Sequence, residues 1–292
     1  MLGGAVVRKL RDQGYEDVIM HRVDLANQRI TDYFFEDERP EYVFMLAGMV
    51  GGVLANKTYP ADFISVNLAI ATNVVRAAHD SGVKKMIYVA CNCAYPAGCE
   101  QPMREEFLGT GALEPTSEAF ATAKLAGIVM CKAYVEQHGR FFVPAVLCNL
   151  YGPGDDYDPE NSHFVAALVR KFHTAKADNA PEVVLWGTGT PRREVLYVDD
   201  AADALLYLMQ NHREPRPINV GWGEDRSILD HARLVAETVG YGGTIRFDNT
   251  MPDGVACKLL DVSRMSEIGW RPSVHHEEGV ALAYADFLER YT

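Results

Sequence analysis

Long apolar runs and an excess of positive charge are both absent from this sequence. Over its 292 residues, no run approaches the ~18 consecutive apolar residues that span a bilayer, and no signal peptide is evident. Lys and Arg number 28 against 40 Asp and Glu, and the resulting net charge of -12 repels phosphate polymers. We therefore expect a cytoplasmic globular protein that binds neither membranes nor nucleic acids.

Cysteine is also scarce. The chain has six, and Cys91 and Cys93 form a short-spaced pair with no second pair at the spacing of a metal site. In a chain of this length without secretory features, such cysteines are typical of reduced thiols. We expect no bound metal.

Apolar, strand-like stretches alternate with amphipathic, helix-like stretches. The predicted strands cover 18–20, 42–47, 86–90, 142–147 and 183–186, and the clearest helices cover 68–79 and 120–137. This alternation is typical of βαβ units and predicts an α/β fold with a doubly wound, Rossmann-like parallel sheet. Prolines interrupt the pattern from about residue 155. We predict a Rossmann-like domain over 1–154 and a smaller, mainly substrate-binding lobe over 155–292, with some segments returning to the sheet.

The amino terminus departs from the usual plan of such a sheet. A dinucleotide-binding fold normally opens with a strand leading into a glycine-rich turn, whose amides and following helix hold a pyrophosphate. This chain starts with Met1-Leu2-Gly3-Gly4, which is typical of the end of that turn. We expect the first strand and most of the turn to be missing; a merely flexible start is the alternative interpretation.

Residues 120–124, FATAK, resemble the active-site motif of short-chain dehydrogenases in altered form. In that superfamily a Tyr and a Lys four residues apart lie on one helix face, where the ammonium lowers the pKa of the phenol. Here Phe120 stands at the aromatic position before Lys124. Taken alone, this spacing is more typical of an ordinary helix surface, so its meaning depends on the other motifs.

Further motifs occur in order along the chain: VGGVLAN at 50–56, TYPADF at 58–63, LEPT at 113–116, NLYGP at 149–153 and WGTGTPRRE at 186–194. Together they resemble the GDP-L-fucose synthase family of the extended short-chain dehydrogenase/reductase superfamily, over essentially the whole chain. The resemblance implies a homodimeric enzyme that epimerises C3 and C5 of GDP-4-keto-6-deoxy-D-mannose and reduces its C4 ketone with NADPH.

The resemblance also implies the catalytic residues. Cys93 and His163 correspond to the base and acid that exchange the C3 and C5 protons through an enolate; from the residues alone they are a buried thiol and a loop histidine. Lys124 corresponds to the group that orients the nicotinamide ribose. Cys91 and Phe120 replace the Ser and Tyr that hold and protonate the C4 alkoxide. Because a thiol donates weakly and Phe has no donor, we expect reduction to be impaired.

Binding residues follow from the same resemblance. Those expected to bind the cofactor are Gly3, Arg22, Asp24, Leu25, Leu46, Ala47, Gly48, Lys124, Asn149 and Leu150, with Arg22 at the 2'-phosphate. Those expected to bind the GDP-sugar are Asn149, His163, Lys171, Trp186, Arg193 and Lys258. A guanidinium and an ammonium suit a diphosphate, which the resemblance places at Arg193 and Lys258. Without the resemblance, Trp186 is a core residue and the cations are solvated surface groups.

Three interpretations of the altered reductase positions stay open: an epimerase that has abandoned reduction, a catalytically silent nucleotide-sugar-binding protein, and an active synthase whose recorded sequence is imperfect. Each replacement keeps the shape of the side chain and removes its chemistry. Entry of solvent deuterium into a 4-keto sugar distinguishes a binding protein from an enzyme.

Overall fold

The computed structural model describes residues 1–159, 162–251 and 253–291. Its strands are β1 (Tyr42–Met45), β2 (Lys85–Cys91), β3 (Phe142–Leu147), β4 (Asn149–Tyr151), β5 (Glu182–Trp186), β6 (Arg192–Arg193), β7 (Val195–Tyr197), β8 (Ile218–Val220), β9 (Arg226–Ser227), β10 (Thr244–Asp248) and β11 (Cys257–Lys258). Its α-helices are α1 (Leu2–Asp12), α2 (Gln28–Glu38), α3 (Val53–Thr58), α4 (Pro60–Asp80), α5 (Glu118–His138), α6 (Phe164–Ala177), α7 (Val198–Asn211), α8 (Ile228–Val239), α9 (Ser263–Glu267) and α10 (His276–Tyr291). Within these ranges, no helix is both long and apolar enough to cross a membrane.

The main sheet has the strand order β1-β2-β3-β8, and all of its strands are parallel. Its two faces are covered by different helices. Lys85 on β2 donates to backbone carbonyls at the end of α7, whereas Tyr88 packs under Gly127 of α5. Since residues three apart on a strand point to opposite faces, α7 and α5 lie on opposite sides. The predicted doubly wound α/β fold is confirmed.

Most of the predicted strands are confirmed. β3 covers 142–147 as predicted, β2 and β5 extend the predicted segments by one or two residues, and β1 ends at Met45, two residues early. The predicted strand over 18–20 is wrong, because the structure assigns no strand there. Ile19 and Met20 are 42% and 64% exposed. In the described part of the chain the segment pairs with no strand, so its apolar pattern is not stabilised by a ladder of hydrogen bonds.

A groove of about 1090 Å³ lies beside the unpaired edge of β1. Apolar side chains line it from α1, from the 18–25 segment, from β1 and from α7, among them Val6, Val18, Phe44, Leu206 and Met209. The β1 backbone groups that face away from β2 have no strand partner in the part of the chain that the structure describes. The groove therefore combines apolar walls with an open parallel strand edge.

A second core lies outside the main sheet. Helices α6, α8 and α10 pack together, and buried side chains such as Val169, Phe172, Val235 and Phe287 form its centre. Short strand pairs flank it: β5 with β10, β4 with β7, and β6 between β11 and β9. Helix α7 and strand β8, although they come after residue 155, belong to the core of the main sheet.

Candidate active site

The carboxyl ends of β1 and β2 meet at one edge of the main sheet, where parallel α/β folds place their sites. Leu46, Ala47 and Gly48 directly follow β1, and Cys91 is the last residue of β2. A one-turn 3₁₀-helix (Asn92–Ala94) comes next and carries Cys93. Helix α5 passes beside this edge and contributes Lys124.

Lys124 is a buried cation at this edge of the sheet. It is 6% exposed, and its Nζ donates to the Val89 carbonyl at 3.2 Å. A Cβ at Gly48 would lie 3.4 Å from that Nζ and 2.9 Å from Oδ1 of Asn67. The Asn67 amide accepts from Met49 N and donates to Met49 O, both at 3.0 Å. A side chain at position 48 would therefore crowd Asn67 and the ammonium, and glycine permits this close approach.

Phe120 lies one helical turn before Lys124, as the motif predicts. Its ring centroid is 5.8 Å from Lys124 Nζ, and it packs edge-to-face on Phe63 with 6.0 Å between centroids. The ring keeps the position of the aromatic residue in the motif but carries no hydroxyl. Position 120 therefore supplies Lys124 with no phenol to activate and no phenolic proton.

Cys91 and Cys93 form a direct thiol–thiol contact. Their Sγ atoms are 2.6 Å apart, Cys91 is half-buried and Cys93 is buried. The hydrogen bond from Cys93 lowers the pKa of Cys91 to about 7, and the charge of Lys124 acts in the same direction. The shared hydrogen bond and burial raise the pKa of Cys93. The pair thus holds one readily formed thiolate, which resides on Cys91, and one retained proton.

His163 is not in hydrogen-bond contact with this pair. It is exposed and forms the N-cap of α6. Its charge acts on the buried carboxyl of Asp155, where burial raises the pKa and His163 opposes that shift. Among the described residues, no hydrogen bond joins His163 to Cys93.

Two cations lie side by side on the short strands. Lys258 of β11 is the register partner of Arg193 of β6 in a parallel pair, so both side chains point to the same face. Arg193 Nη1 donates to the Arg192 carbonyl at 2.7 Å. Neither cation forms a salt bridge within the described ranges. Lys258 also lies near enough to the thiol pair to favour a thiolate there.

The remaining predicted sugar-nucleotide residues are spread along the second core. Trp186 ends β5 and is 67% exposed. It is therefore not the core residue expected without the family resemblance. Lys171 Nζ donates to the Val184 carbonyl at 3.1 Å, and burial lowers its pKa. Asn149 and Leu150 begin β4 and are half-buried beside β7.

Of the predicted cofactor residues, Gly3 lies on α1 and Arg22, Asp24 and Leu25 lie on the loop before α2. A Cβ at Gly3 would lie 3.9 Å from Leu46, which places the amino end of α1 at the carboxyl end of β1. Leu25 O accepts from the Asn73 amide at 3.0 Å, and Asp24 Oδ1 accepts from Ala26 N at 3.1 Å. Arg22 is exposed on the same loop. These contacts fix the loop from within, and Arg22 stays accessible.

Two structural residues of the site were missed by the sequence analysis. Asn67, which braces 48–49, looks like an ordinary polar residue in a helix. Glu194 is 1% exposed and accepts from Gly223 N at 2.7 Å and Leu260 N at 2.9 Å. Burial raises the pKa of Glu194 to about 7. The sequence signal for Glu194 was its position as the last residue of the WGTGTPRRE motif.

Comparison with known proteins agrees with this arrangement. Residues 1–221 match the NAD dependent epimerase/dehydratase family, so the chain belongs to that class. It is 45% identical over 292 residues to GDP-L-fucose synthase 1 of Arabidopsis thaliana, covering 99% of this chain and 90% of that protein. It is 44% identical over 301 residues to GDP-L-fucose synthase of Escherichia coli K12, covering 99% and 94%. Within the class, the chain belongs to the GDP-L-fucose synthase family.

A solved relative has the same fold. The crystal structure of a GDP-L-fucose synthetase from Naegleria fowleri bound to NADP is 26% identical and superposes with a TM-score of 0.91, covering 99% of this chain and 91% of that one. The family resemblance predicted from the motifs is confirmed.

Proposed function

We propose that the protein acts on GDP-4-keto-6-deoxy-D-mannose, exchanging the protons at C3 and C5 and using NADPH for reduction at C4, a step weakened here by Phe120. The observation that carries the proposal is the buried Lys124 beside the Cys91–Cys93 pair, at the carboxyl end of a parallel sheet. A silent binding protein is not favoured, because the relatives at 44% and 45% identity, aligned over 99% of the chain, are named as synthases.

Proton exchange needs a base near a carbon next to the ketone. In our proposal Cys93 is that base. Cys91 takes up the shared proton across the 2.6 Å contact, which leaves the thiolate on Cys93. Lys124 and Lys258 stabilise a negative charge on either sulfur. His163, at the amino end of α6, is proposed as the acid.

The cofactor is proposed to lie along the carboxyl end of β1. The ammonium of Lys124, which has no carboxylate partner among the described residues, suits a ribose hydroxyl, and the amino end of α1, whose N-cap residue makes no side-chain hydrogen bond, suits a pyrophosphate. The other residues proposed to hold it are Gly3, Arg22, Asp24, Leu25, Leu46, Ala47, Asn149 and Leu150. When bound, NADPH supplies hydride to C4. Cys91 is then the proposed side-chain donor for the C4 oxygen, and a weak one.

The GDP end of the substrate is proposed to lie on the second core. Arg193 and Lys258 are adjacent cations without a salt-bridge partner among the described residues, which supports a diphosphate contact. Exposed Trp186 is suited to pack on the nucleotide base, and Asn149 and Lys171 complete the proposed site. In this arrangement residues 1–154 mainly serve NADPH and residues 155–292 mainly serve the GDP-sugar.

We further propose a cytoplasmic homodimer that pairs through helices. Val53 and Leu54 on α3 and Val129 on α5 are apolar and more than half exposed, which supports a helical interface. Sedimentation of the purified protein tests this, and a monomer at micromolar concentration would contradict it.

The central experiment incubates the protein with GDP-4-keto-6-deoxy-D-mannose in deuterated water. Mass spectrometry and NMR then measure deuterium at C3 and C5, while loss of NADPH absorbance measures reduction. We expect deuterium at both carbons and NADPH oxidation near background. A chain that binds GDP but incorporates no deuterium would make the silent binding protein the correct alternative.

A further inference from the structure

The Cys91–Cys93 pair has a property that the proposed reaction does not use. An S–S bond is about 2.04 Å long, and the two Sγ atoms already lie 2.6 Å apart. Closing a bond therefore requires a movement of less than an ångström. Among the described residues, no other two cysteine sulfurs are in contact.

The surroundings of the pair favour attack by one of the two thiols. Thiolates rather than thiols react with oxidants, and a nearby cation promotes the thiolate. The pKa of Cys91 is lowered to about 7 by the hydrogen bond from Cys93, with Lys124 and Lys258 acting in the same direction. Cys91 is half-buried and Cys93 is buried, so a small oxidant reaches Cys91 first.

The four other cysteines lack this combination. Burial raises the pKa of Cys131 and of Cys148, and both are buried. Burial and the carboxylate of Asp225 raise the pKa of Cys257 to about 11. Burial also raises the pKa of Cys99. A thiolate with a second thiol in contact is therefore confined to the Cys91–Cys93 pair in the described part of the chain.

We propose that Cys91 and Cys93 are a site of reversible oxidation, at which a peroxide closes an intramolecular disulfide and shuts the site. In the first step the Cys91 thiolate attacks one oxygen of hydrogen peroxide. The O–O bond breaks, Cys91 becomes a sulfenic acid, and the departing hydroxide takes up a proton to form water. In the second step the Cys93 sulfur attacks the Cys91 sulfur and expels hydroxide, which leaves as water with the Cys93 proton. Two thiols are oxidised and one peroxide is reduced to two waters.

The contact between the sulfurs also decides the product. A sulfenic acid without a neighbouring thiol goes on to sulfinic and sulfonic acids, which dithiothreitol does not reverse. With Cys93 already touching Cys91, disulfide formation precedes further oxidation. The bond removes the thiol that we propose as the base, so proton exchange stops; this consequence rests on the proposed function.

The test reads the bond directly. The reduced protein is treated with hydrogen peroxide, alkylated with iodoacetamide and cut with trypsin. Cleavage after Lys85 and Arg104 releases one peptide that contains Cys91, Cys93 and Cys99. We expect this peptide to carry one alkyl group instead of three and to lack the mass of two hydrogen atoms, with fragment ions placing the bond between Cys91 and Cys93. Dithiothreitol should restore three alkylated cysteines and, in parallel, deuterium exchange.

Matched variants locate the bond. Cys99→Ser should form it as the wild-type chain does, whereas Cys91→Ser and Cys93→Ser should not. Full alkylation after peroxide, or a bond that disappears in Cys99→Ser, overturns the proposal, as does exchange that continues at its full rate in the oxidised protein. Because the mass measurement needs no substrate, a protein that never exchanges deuterium would refute the proposed function and leave the disulfide result standing.

Discussion

Strand β1 borders two regions that differ in how completely they are filled. At its carboxyl end, Lys124 and the amide of Asn67 are fixed by hydrogen bonds within a few ångströms of Gly48. Along its open edge, a groove of about 1090 Å³ is lined by apolar side chains, and the edge backbone has no strand partner in the described residues.

The two regions bear on different functions, namely the proposed proton exchange and the binding of the cofactor. The carboxyl end of the sheet holds the groups that we propose for proton exchange and for contact with a ribose, whereas the open edge of β1 has no strand partner in the described residues. A polar site can thus stay organised beside an unpaired strand edge, because hydrogen bonds from α4 and α5 hold it independently of that edge. The predictions below test whether this separation holds.

The largest effect is expected at the thiol base. Replacing Cys93 by Ser leaves a hydroxyl that is too weakly acidic to ionise, so no base remains at this position. Exchange at C3 and C5 should fall by ~10⁴-fold, the upper range for a general base. Deuterium incorporation measures this. The matched control is Cys99→Ser, which should exchange at the wild-type rate. Exchange that survives in Cys93→Ser would assign the base to another group.

Restoring the hydroxyls should have the next largest effect. Phe120→Tyr places a phenol four residues before Lys124, and Cys91→Ser restores a hydroxyl donor at the end of β2. Losing one oxyanion donor costs ~10²- to 10³-fold, so the double variant should oxidise NADPH by roughly that factor faster. Exchange should change much less. Equal gains in both reactions would show that the two chemistries do not separate here, and robust NADPH turnover by the unaltered chain would contradict the assigned roles of Phe120 and Cys91.

The sequence predicted the parts of this site that depend on local spacing. Phe120 and Lys124 share a helix face because they are four residues apart. Strand β3 is buried throughout, so its continuous apolar run was predicted as a strand with the correct bounds. The strand predicted over 18–20 failed because a strand needs a partner, which a short apolar run does not specify. The Cys91–Cys93 contact and the bracing by Asn67 depend on side-chain directions set by the tertiary fold, so no sequence spacing predicted them.

Filling the groove should tighten cofactor binding. An apolar strand-forming segment with a glycine-rich turn, fused ahead of Met1, can pair with β1 and bring backbone N–H groups to the amino end of α1. Each charge-assisted hydrogen bond contributes about 1.5 to 3 kcal/mol, so NADPH should bind roughly a hundredfold more tightly. Calorimetry measures this. A fusion of equal length with prolines in the strand cannot complete the ladder and should give no gain. Low-micromolar NADPH binding without the fusion would mean that the open edge does not limit the cofactor.

The smallest effect is expected at the diphosphate contacts, which lie on the second core and away from the open edge of β1. Replacing Arg193 or Lys258 by Ala should weaken GDP binding by about 1.5 to 3 kcal/mol, because each removes one charge-assisted contact. Arg216→Ala is a charge-matched control, since that side chain is exposed and pairs with Glu214. Calorimetry with GDP alone keeps the measurement independent of cofactor and chemistry. If the groove-filling fusion left these GDP affinities unchanged while NADPH tightened, the two regions would be energetically separate. If both Ala variants bound GDP like the Arg216 control, the adjacent cations would have another role and the proposed substrate orientation would be wrong.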